Sequence, residues 1–218
     1  MGAGMFYQEN MDNALRFGDV LRGYIAITPS IKGPILAPSA LNEGYNIDVN
    51  LPMFSAVISP CCSIGHDIIS LTPLIEVHNT FFDNSYFAED LTRINREMEP
   101  QQAVSPHIWD GLPPEEKQRR LQEGYGYAFL EFFIYERCDL FPKYMVHKKQ
   151  GKNIETNYYM VDFRNTYKLY CDKIKSPEKA PLESKCSQLS VQARSELRDK
   201  ISYYYARIPK EDKILLED

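Results

Sequence analysis

The sequence predicts an α+β fold in which helices decorate a small curled sheet or barrel. Roughly six or seven short stretches, rich in β-branched and aromatic residues, have the composition of strands. A helical pair interrupts these strands and a further helix follows them, so strands and helices do not alternate regularly. This order favours a sheet with added helices over a repeated β-α-β array.

Residues 53–74 are the stretch around which the chain is organised. Two apolar runs, 54–59 and 68–71, flank a segment that has the composition of a turn. Pro60 closes the first run, and Gly65 lies on the approach to the second. Neither run alternates polar with apolar residues, so we predict two buried strands joined by a loop.

Similar signals place the other elements. Further predicted strands cover residues 17–28, with a bend or bulge at Gly23, and residues 45–49, 125–135, 142–149, 157–163 and 166–171. The segments 142–149 and 157–163 are predicted to pair as a hairpin around the turn at 150–153. Predicted helices cover 86–98, a charged stretch from Pro113 to Gly124, and a terminal stretch from the N-cap Ser190 to Pro209. Residues 29–38 are predicted to be an irregular loop, and 176–185 a linker.

Composition and charge narrow the classes of function. The formal net charge of −5 gives no overall basic field, so a nucleic-acid partner is not favoured and would need a local basic patch. The amino-terminal residues lack the pattern of a secretory signal, and no apolar run reaches the length of a membrane span. Five cysteines without CxxC spacing predict reduced thiols in a cytoplasmic protein. No phosphate-loop or metal-binding motif occurs, so we expect neither a cofactor nor a metal.

The adjacent Cys61 and Cys62, together with His66, are the most reactive group in the sequence. Cys62 would be a catalytic nucleophile if His66 or His78 lowered the pKa of its thiol below the usual value of about 8.5. A metal site is a second interpretation, but adjacent cysteines point to opposite sides of an extended chain and rarely bind one ion. We favour the third interpretation, two small apolar residues at the end of a strand.

Two further groups are candidate binding residues. The best local basic patch lies around the predicted hairpin turn and consists of His147, Lys148, Lys149 and Lys152. Tyrosines at 144, 158 and 159 are near enough in sequence to stack on bases there, although a solvated turn explains the same residues and is preferred. Tyr203, Tyr204 and Tyr205 are consecutive on the terminal helix, which cannot bury all three on one side. They are therefore candidates for an interface with a protein partner.

Three motifs, in order, resemble a known family. They are Gly-Asp-Val-Leu at 18–21, Ala-Val-Ile-Ser-Pro at 56–60 and Ile-Ser-Leu-Thr-Pro-Leu at 69–74. Over residues 17–75 the chain resembles PemK/MazF-like prokaryotic proteins, which implies an SH3-like barrel. Members of that family are typically toxins that cut single-stranded RNA. The Phe163-Arg164 strand and the terminal helix also resemble barrel proteins of prokaryotic defence-type operons.

The catalytic pattern of the toxins is not carried by this chain. Met53-Phe54 occupy the place of the family's Arg-Pro pair, and Ile75-Glu76 follow the third motif where the family has Thr or Ser. Loss of the cation removes the charge stabilisation on which phosphodiester cleavage depends. The resemblance therefore implies a barrel kept as a scaffold rather than an active ribonuclease.

Together these observations predict a single domain over residues 1–218. An SH3-like β-barrel core covers about 17–82 and 124–174, helices are inserted at 83–123, and a C-terminal helix covers 187–208. The predicted function is a non-catalytic interaction or accessory subunit of a prokaryotic defence or toxin–antitoxin-like assembly. The alternatives are a MazF-like single-strand endoribonuclease with a rearranged site, and a cysteine-dependent enzyme that uses Cys62.

Overall fold

The computed structural model of the protein describes residues 5–31, 45–60, 64, 68–83, 87, 90–95, 103–104, 111–122, 126–127, 129, 131–148, 151–170 and 184–206. The fold is mixed α+β, as the sequence predicts. Most of the sheet is antiparallel, and a C-terminal helix packs on it.

The elements follow one another along the chain. The strands are β1 (Val20–Arg22), β2 (Ala26–Ile31), β3 (Tyr45–Asn50), β4 (Phe54–Val57), β5 (Ile68–Glu76), β6 (Ala103–Val104), β7 (Gly126–Tyr127), β8 (Phe132–Tyr135), β9 (Tyr144–Val146), β10 (Ile154–Thr156), β11 (Tyr159–Asp162), β12 (Tyr167–Tyr170) and β13 (Lys185–Ser187). The helices are α1 (Asn79–Asp83), α2 (Pro114–Gln122) and α3 (Val191–Ala206), with the 3-10 helices η1 (Leu91–Asn95) and η2 (Phe163–Asn165). The main sheet has the order β13-β1-β4-β5-β11-β8, and β12 also pairs with β5. Smaller sheets join β2 to β3, β9 to β10 and β6 to β7.

β5 is the strand on which the main sheet is built. One edge of β5 pairs with β4. The other edge pairs with β12 up to Leu71 and with β11 from Leu74 onward. Pro73, which has no N–H to donate, lies in the gap between these two partners. In the same gap the Thr72 hydroxyl donates to the carbonyl of Asp162 at 3.1 Å, and the chain passes from β11 to β12 through η2.

The three segments that carry the sequence motifs lie side by side. β1, β4 and β5 are consecutive in the sheet, with Val20 opposite Ala56 and Ala56 opposite Thr72. The predicted strands at 54–59 and 68–71 are thus confirmed as antiparallel neighbours.

A long ribbon has β1 and β2 on one arm and β3 and β4 on the other. Arg22 is opposite Phe54 on one side of an interruption, and Ala26 is opposite Asn50 on the other side. Three residues separate the paired segments on each arm, so the register is the same before and after the interruption. The two arms are therefore one ribbon interrupted in the middle.

Gly23 lies in this interruption with a φ of 88°. Of the two predicted alternatives at Gly23, the bend is confirmed. The bulge is wrong because no extra residue enters the register, and the single strand predicted over 17–28 is divided into β1 and β2. The loop predicted to begin at Pro29 is also wrong at its start, since β2 continues through that residue. β3 confirms the predicted strand at 45–49.

Side chains on both faces of the central strands are buried. We call the largest cluster the central core. Its members are Phe6, Phe17, Val20, Phe54, Ala56, Ile58, Leu74, Phe133, Tyr135, Phe141, Tyr159, Val161, Phe163, Leu189, Ala193 and Leu197. Val57 and Leu71 belong to a second cluster, and Phe132 and Ile134 to a third that includes α1 and η1. The alternation along β8 between the central core and the third cluster shows that this strand is covered on both sides.

The outer edge of β8 is closed by a side chain rather than by a strand. Asn95, the last residue of η1, donates from Nδ2 to the Ile134 carbonyl at 2.8 Å. Its Oδ1 accepts the Ile134 N–H at 2.6 Å. The amide thus reproduces the two bonds that a neighbouring strand would make, which protects the edge from pairing with another chain.

The predicted helix at 86–98 is wrong as a continuous element. Among the described residues of that range, Asp90 is not helical and η1 begins after it. The Asp90 carboxylate accepts the N–H and the hydroxyl of Thr92 at 3.0 and 2.6 Å, a local arrangement that competes with helix formation. α1 is an element that the sequence does not predict, whereas α2 confirms the short charged helix.

The predicted hairpin is wrong in its second strand. β9 pairs with β10, whereas β11, within the predicted 157–163 strand, pairs with β5 and β8. The strand predicted at 125–135 is divided into β7 and β8. β12 confirms the strand at 166–171, and α3 confirms the terminal helix, which Ser190 caps by accepting the Ala193 N–H at 3.2 Å.

The two glycines at 18 and 151 give a matched test of packing around α3. Both have positive φ, 85° and 94°, so alanine is strained at either position. A Cβ at Gly18 would lie 2.6 Å from Cδ1 of the buried Leu189, whereas a Cβ at Gly151 would have nothing within 4 Å. We expect Gly151→Ala to cost about 1 kcal/mol and Gly18→Ala about 2–4 kcal/mol, measured by urea unfolding. Equal losses would contradict the close approach of Leu189 to β1.

Candidate functional site

A buried ion pair joins the two ends of the described chain. Lys185 in β13 lies 2.8 Å from Oδ2 of Asp19, the residue before β1. The side chain of Asp19 is 0% exposed and that of Lys185 is 2% exposed. The sequence places Lys185 in a linker and Asp19 beside Arg22, so this pair is not predicted. A signal for it is hard to find, since lysine is seldom buried and its partner is far away in sequence.

The Lys185 ammonium has an unusually full set of acceptors. Besides Asp19, it donates to the carbonyl oxygens of Ala14 at 2.7 Å and Asp12 at 3.3 Å, and to Oε1 of Gln188 at 2.9 Å. The carboxylate of Asp12 lies 3.5 Å away. These contacts fasten the amino-terminal segment to β13.

Asp12 and Gln188 extend this network toward the surface. The Asp12 carboxylate accepts from Nε of Arg16 at 2.6 Å and from the Ala14 N–H at 3.1 Å. Gln188 accepts the Asp12 N–H at 2.9 Å and donates to Gln8 at 3.1 Å. Lys185 and Gln188 thus bond to a segment that is distant from them in sequence. We call this network of Asp12, Arg16, Asp19, Lys185 and Gln188 the clamp, because it joins the amino-terminal segment to β13 and the start of α3.

The pKa values of the two carboxylates of the clamp are shifted in opposite directions. Burial raises the pKa of Asp19 to about 6, although the bonds from Lys185 and from the Arg16 N–H act to lower it. Burial also acts on Asp12, but hydrogen bonds from Arg16, the Ala14 N–H and Gln188 lower its pKa to about 2. Because Asp19 and Lys185 have almost no exposed surface, a solute cannot reach the ion pair, and its role is structural.

Several sequence-predicted site residues lie outside the described residues. These are Cys61, Cys62 and His66 of the reactive group and Lys149 of the basic patch. The interpretations of Cys62 as a nucleophile, of Cys61, Cys62 and His66 as a metal site and of the cysteines as packing groups therefore all stay predictions.

The described part of the basic patch lies at the ends of β9 and β10. His147 and Lys152 are exposed and Lys148 is half-buried. The nearby tyrosine rings are engaged elsewhere: Tyr144 donates its hydroxyl to the Tyr158 carbonyl at 2.6 Å, and its ring contacts that of Tyr159 with centroids 5.5 Å apart. The stacking platform of the alternative, nucleic-acid-binding interpretation is therefore not formed by Tyr144 and Tyr159, which belong to the packed interior.

Tyr158 is the remaining ring of that group. It is half-buried, and the guanidinium of Arg137 lies 4.8 Å from its ring centroid. Any base that stacked on this face would have to displace Arg137, so Tyr158 offers no ready platform either.

The consecutive tyrosines of α3 differ in how far they are exposed to solvent. Tyr203 and Tyr204 are half-buried, and Tyr204 contacts the ring of Phe163 with centroids 5.7 Å apart. Tyr205 is 60% exposed and packs edge-on against Tyr204 at 5.0 Å. The last turn of α3 therefore presents one largely exposed aromatic ring beside a second that anchors the helix on η2.

An exposed apolar stripe lies on the interrupted ribbon. Val49, Leu51 and Met53 are two residues apart, the spacing that places side chains on one face of an extended chain, and they are 64%, 71% and 55% exposed. Ile25, opposite Leu51 when the register is continued, is 47% exposed. We call these four residues the apolar stripe. The sequence carries a signal for it, since apolar residues at 49, 51 and 53 alternate with Asn50 and Pro52.

Metal sites and membrane-spanning helices are absent from the part of the chain that the structure describes. Within these ranges, no group of three or more His, Cys, Asp or Glu side chains is placed to hold a metal ion. No helix in the same ranges has the length and apolar character needed to span a membrane. Comparisons with protein families, with curated proteins and with solved structures found no match.

Removal of the buried lysine tests the clamp. Lys185→Met leaves the Asp19 carboxylate buried without its cation, and we expect a loss of about 3–5 kcal/mol in the free energy of unfolding at pH 7. The matched control is Lys143→Met, since Lys143 pairs with Glu155 at 3.1 Å on the surface, with side chains 66% and 57% exposed. That control should lose less than about 1 kcal/mol. Similar losses in the two variants would show that the clamp does not hold the fold together.

The pKa of Asp19 predicts a pH dependence of stability. It is about 6 in the fold against 3.8 ordinarily, so the folded protein binds more protons between these values. The contribution of Asp19 to stability therefore falls as pH rises through that window, the reverse of the usual carboxylate. As the pH rises from 4 to 7, we expect the free energy of unfolding of wild type to fall by about 2–3 kcal/mol relative to that of Asp19→Asn, as measured by urea unfolding. A difference independent of pH would refute the assignment.

Proposed function

We propose that this protein is a non-catalytic interaction module, an accessory subunit that binds a protein partner through the apolar stripe. The observation that carries the proposal is the exposure of Val49, Leu51 and Met53 on one face of the ribbon. Side chains of this kind, grouped on a surface, are typical of protein interfaces. The partner we infer is a folded protein that presents an apolar surface of its own.

The ribbon itself supports a partner at this place. Asp48, Val49 and Asn50 are consecutive and all exposed, so both faces of β3 meet solvent at this end. β2 and β3 form strand pairs only with each other among the described strands, and Ala26, at the interrupted end of β2, is buried in the second cluster. A two-stranded ribbon is marginally stable in water, whereas a packed face stabilises it. A partner on the apolar stripe would supply that face.

We further propose that the main sheet is an SH3-like barrel. Strands from distant places in the order, β1 and β8, send side chains into the same central core, as do β4, β5 and β11 between them. Such sharing is expected when a sheet curls around one interior. The strand pairs described leave the path from β13 to β8 open, so the barrel is partly open in this proposal.

The setting we propose is a prokaryotic defence or toxin–antitoxin-like assembly in the cytoplasm. It rests on the resemblance of residues 17–75 to PemK/MazF-like proteins and on the free thiols of Cys138 and Cys186. Incubation with single-stranded RNA separates this proposal from the endoribonuclease alternative. We expect the RNA to remain intact; cleavage that is lost on Lys148→Ala would favour the alternative.

Charge placed on the apolar stripe tests the proposed interface. The tagged full chain, purified from its native host, should carry a stoichiometric protein partner. Leu51→Asp should abolish that complex, because it buries a carboxylate against an apolar surface, and should leave the free energy of unfolding within about 0.5 kcal/mol. Leu140→Asp is the matched control, since Leu140 is also exposed, at 51%, but lies in the turn after β8.

The partner should remain bound to the Leu140→Asp variant and should rebind wild type when the two are mixed as purified components. Retention of the partner by Leu51→Asp, or its loss from both variants, would refute the apolar stripe as the interface.

A further inference from the structure

Lys200 is a buried lysine at the contact between α3 and η1. The whole residue is 7% exposed, and its side-chain nitrogen donates a hydrogen bond to the carbonyl of Ile94 in η1. Ile94 is itself buried in the third cluster. One face of α3 thus uses apolar residues such as Leu197 to pack on the central core, while Lys200 bonds the helix to η1.

The hydrogen bond from Lys200 to Ile94 also connects α3 indirectly to β8. Asn95, next to Ile94, makes both hydrogen bonds that close the edge of β8. Lys200 is therefore connected through two successive residues of η1 to the outermost strand of the main sheet.

The charges around Lys200 do not compensate for burial of its ammonium. On α3 the titratable and charged groups nearest to Lys200 are Glu196, Arg198, Asp199, Tyr203 and Tyr204. The elements packed against this part of α3 add Arg93 on η1, Arg164 on η2 and Glu131 before β8. Of these, Glu131 favours the charged form of Lys200. The Ile94 carbonyl satisfies one of the three donors of an ammonium, and each donor left without water or an acceptor costs free energy.

We propose that Lys200 is a proton-operated latch, which holds the carboxyl-terminal half of α3 against η1 while its amine is neutral and releases this contact when the amine is protonated. The neutral amine has no charge to desolvate and has one N–H fewer than the ammonium, so it costs less in the buried place. The ammonium needs water, which it gains when the end of α3 moves away from η1. The device is independent of the proposed function, although Tyr203, Tyr204 and Tyr205 follow Lys200 on the same helix and would move with it.

Linkage gives the direction and the size of the effect. Burial lowers the pKa of Lys200 from 10.5 to about 7, whereas in the released state the hydrated amine has its ordinary value. The released state therefore binds more protons at pH values between these two, and its population rises as pH falls. From pH 8.5 to pH 6.5 the equilibrium constant for release should increase about twentyfold, and it should change little below about pH 6.

Hydrogen exchange of the full chain at pH 8.5 and pH 6.5 measures this release. After correction for intrinsic exchange rates, protection of amides in α3 and η1 should fall about twentyfold at the lower pH, while amides of β5 keep their protection. Lys200→Met, which cannot be protonated, should make the protection in α3 independent of pH. Lys200→Arg, which stays charged, should give low protection at both values.

A pH-dependent loss of protection that persists in Lys200→Met would overturn the proposal. Should that variant fail to fold, an NMR titration of the Lys200 Cε signal in the wild-type protein decides the matter. A midpoint near 7 supports the latch, and a midpoint near 10.5 rejects it.

Discussion

The pairing of β5 is the constraint on which the rest of this structure depends. One strand holds β4 along one edge and two successive partners, β12 and β11, along the other. The change of partner falls at Pro73, where the backbone has no N–H to donate. Because β4 leads to β1 and the exposed ribbon, and β11 leads to β8 and η1, this strand positions both the apolar stripe and the contact between Lys200 and η1.

Buried charge has two different uses in the terminal elements. The Asp19–Lys185 pair is fully satisfied on the lysine side and fixes the amino-terminal segment to β13 before α3 begins. Lys200, farther along α3, has the Ile94 carbonyl as its one acceptor among the described residues, and in our proposal this contact depends on the protonation of its amine. The several hydrogen bonds that converge on Lys185 stabilise one arrangement, whereas the bond from Lys200 to Ile94 lets the protein adopt two.

Local composition predicts much of the sheet and little of its connections. β4 and β5 are predictable because apolar β-branched runs have few other uses, and α3 because Ser190 and the apolar spacing agree. The apolar spacing at 87, 91 and 94 suggests one helix, yet Asp90 bonds its own neighbours and leaves a 3-10 turn. Lys185 escapes prediction because its burial depends on a carboxylate at the other end of the chain. The apolar stripe is visible in the sequence because its apolar residues alternate with Asn50 and Pro52. Only the structure shows that the side chains of the apolar stripe are exposed.

Backbone NOEs in the isotopically labelled protein test the position of β5 most directly. The account predicts cross-strand contacts from Leu71 both to Val57 and to Tyr167, and from Ile75 to Met160. NOEs from Leu71 to only one of these two residues would contradict the account. NOEs that place β11 and β12 together in a layer separate from β4 would also contradict it.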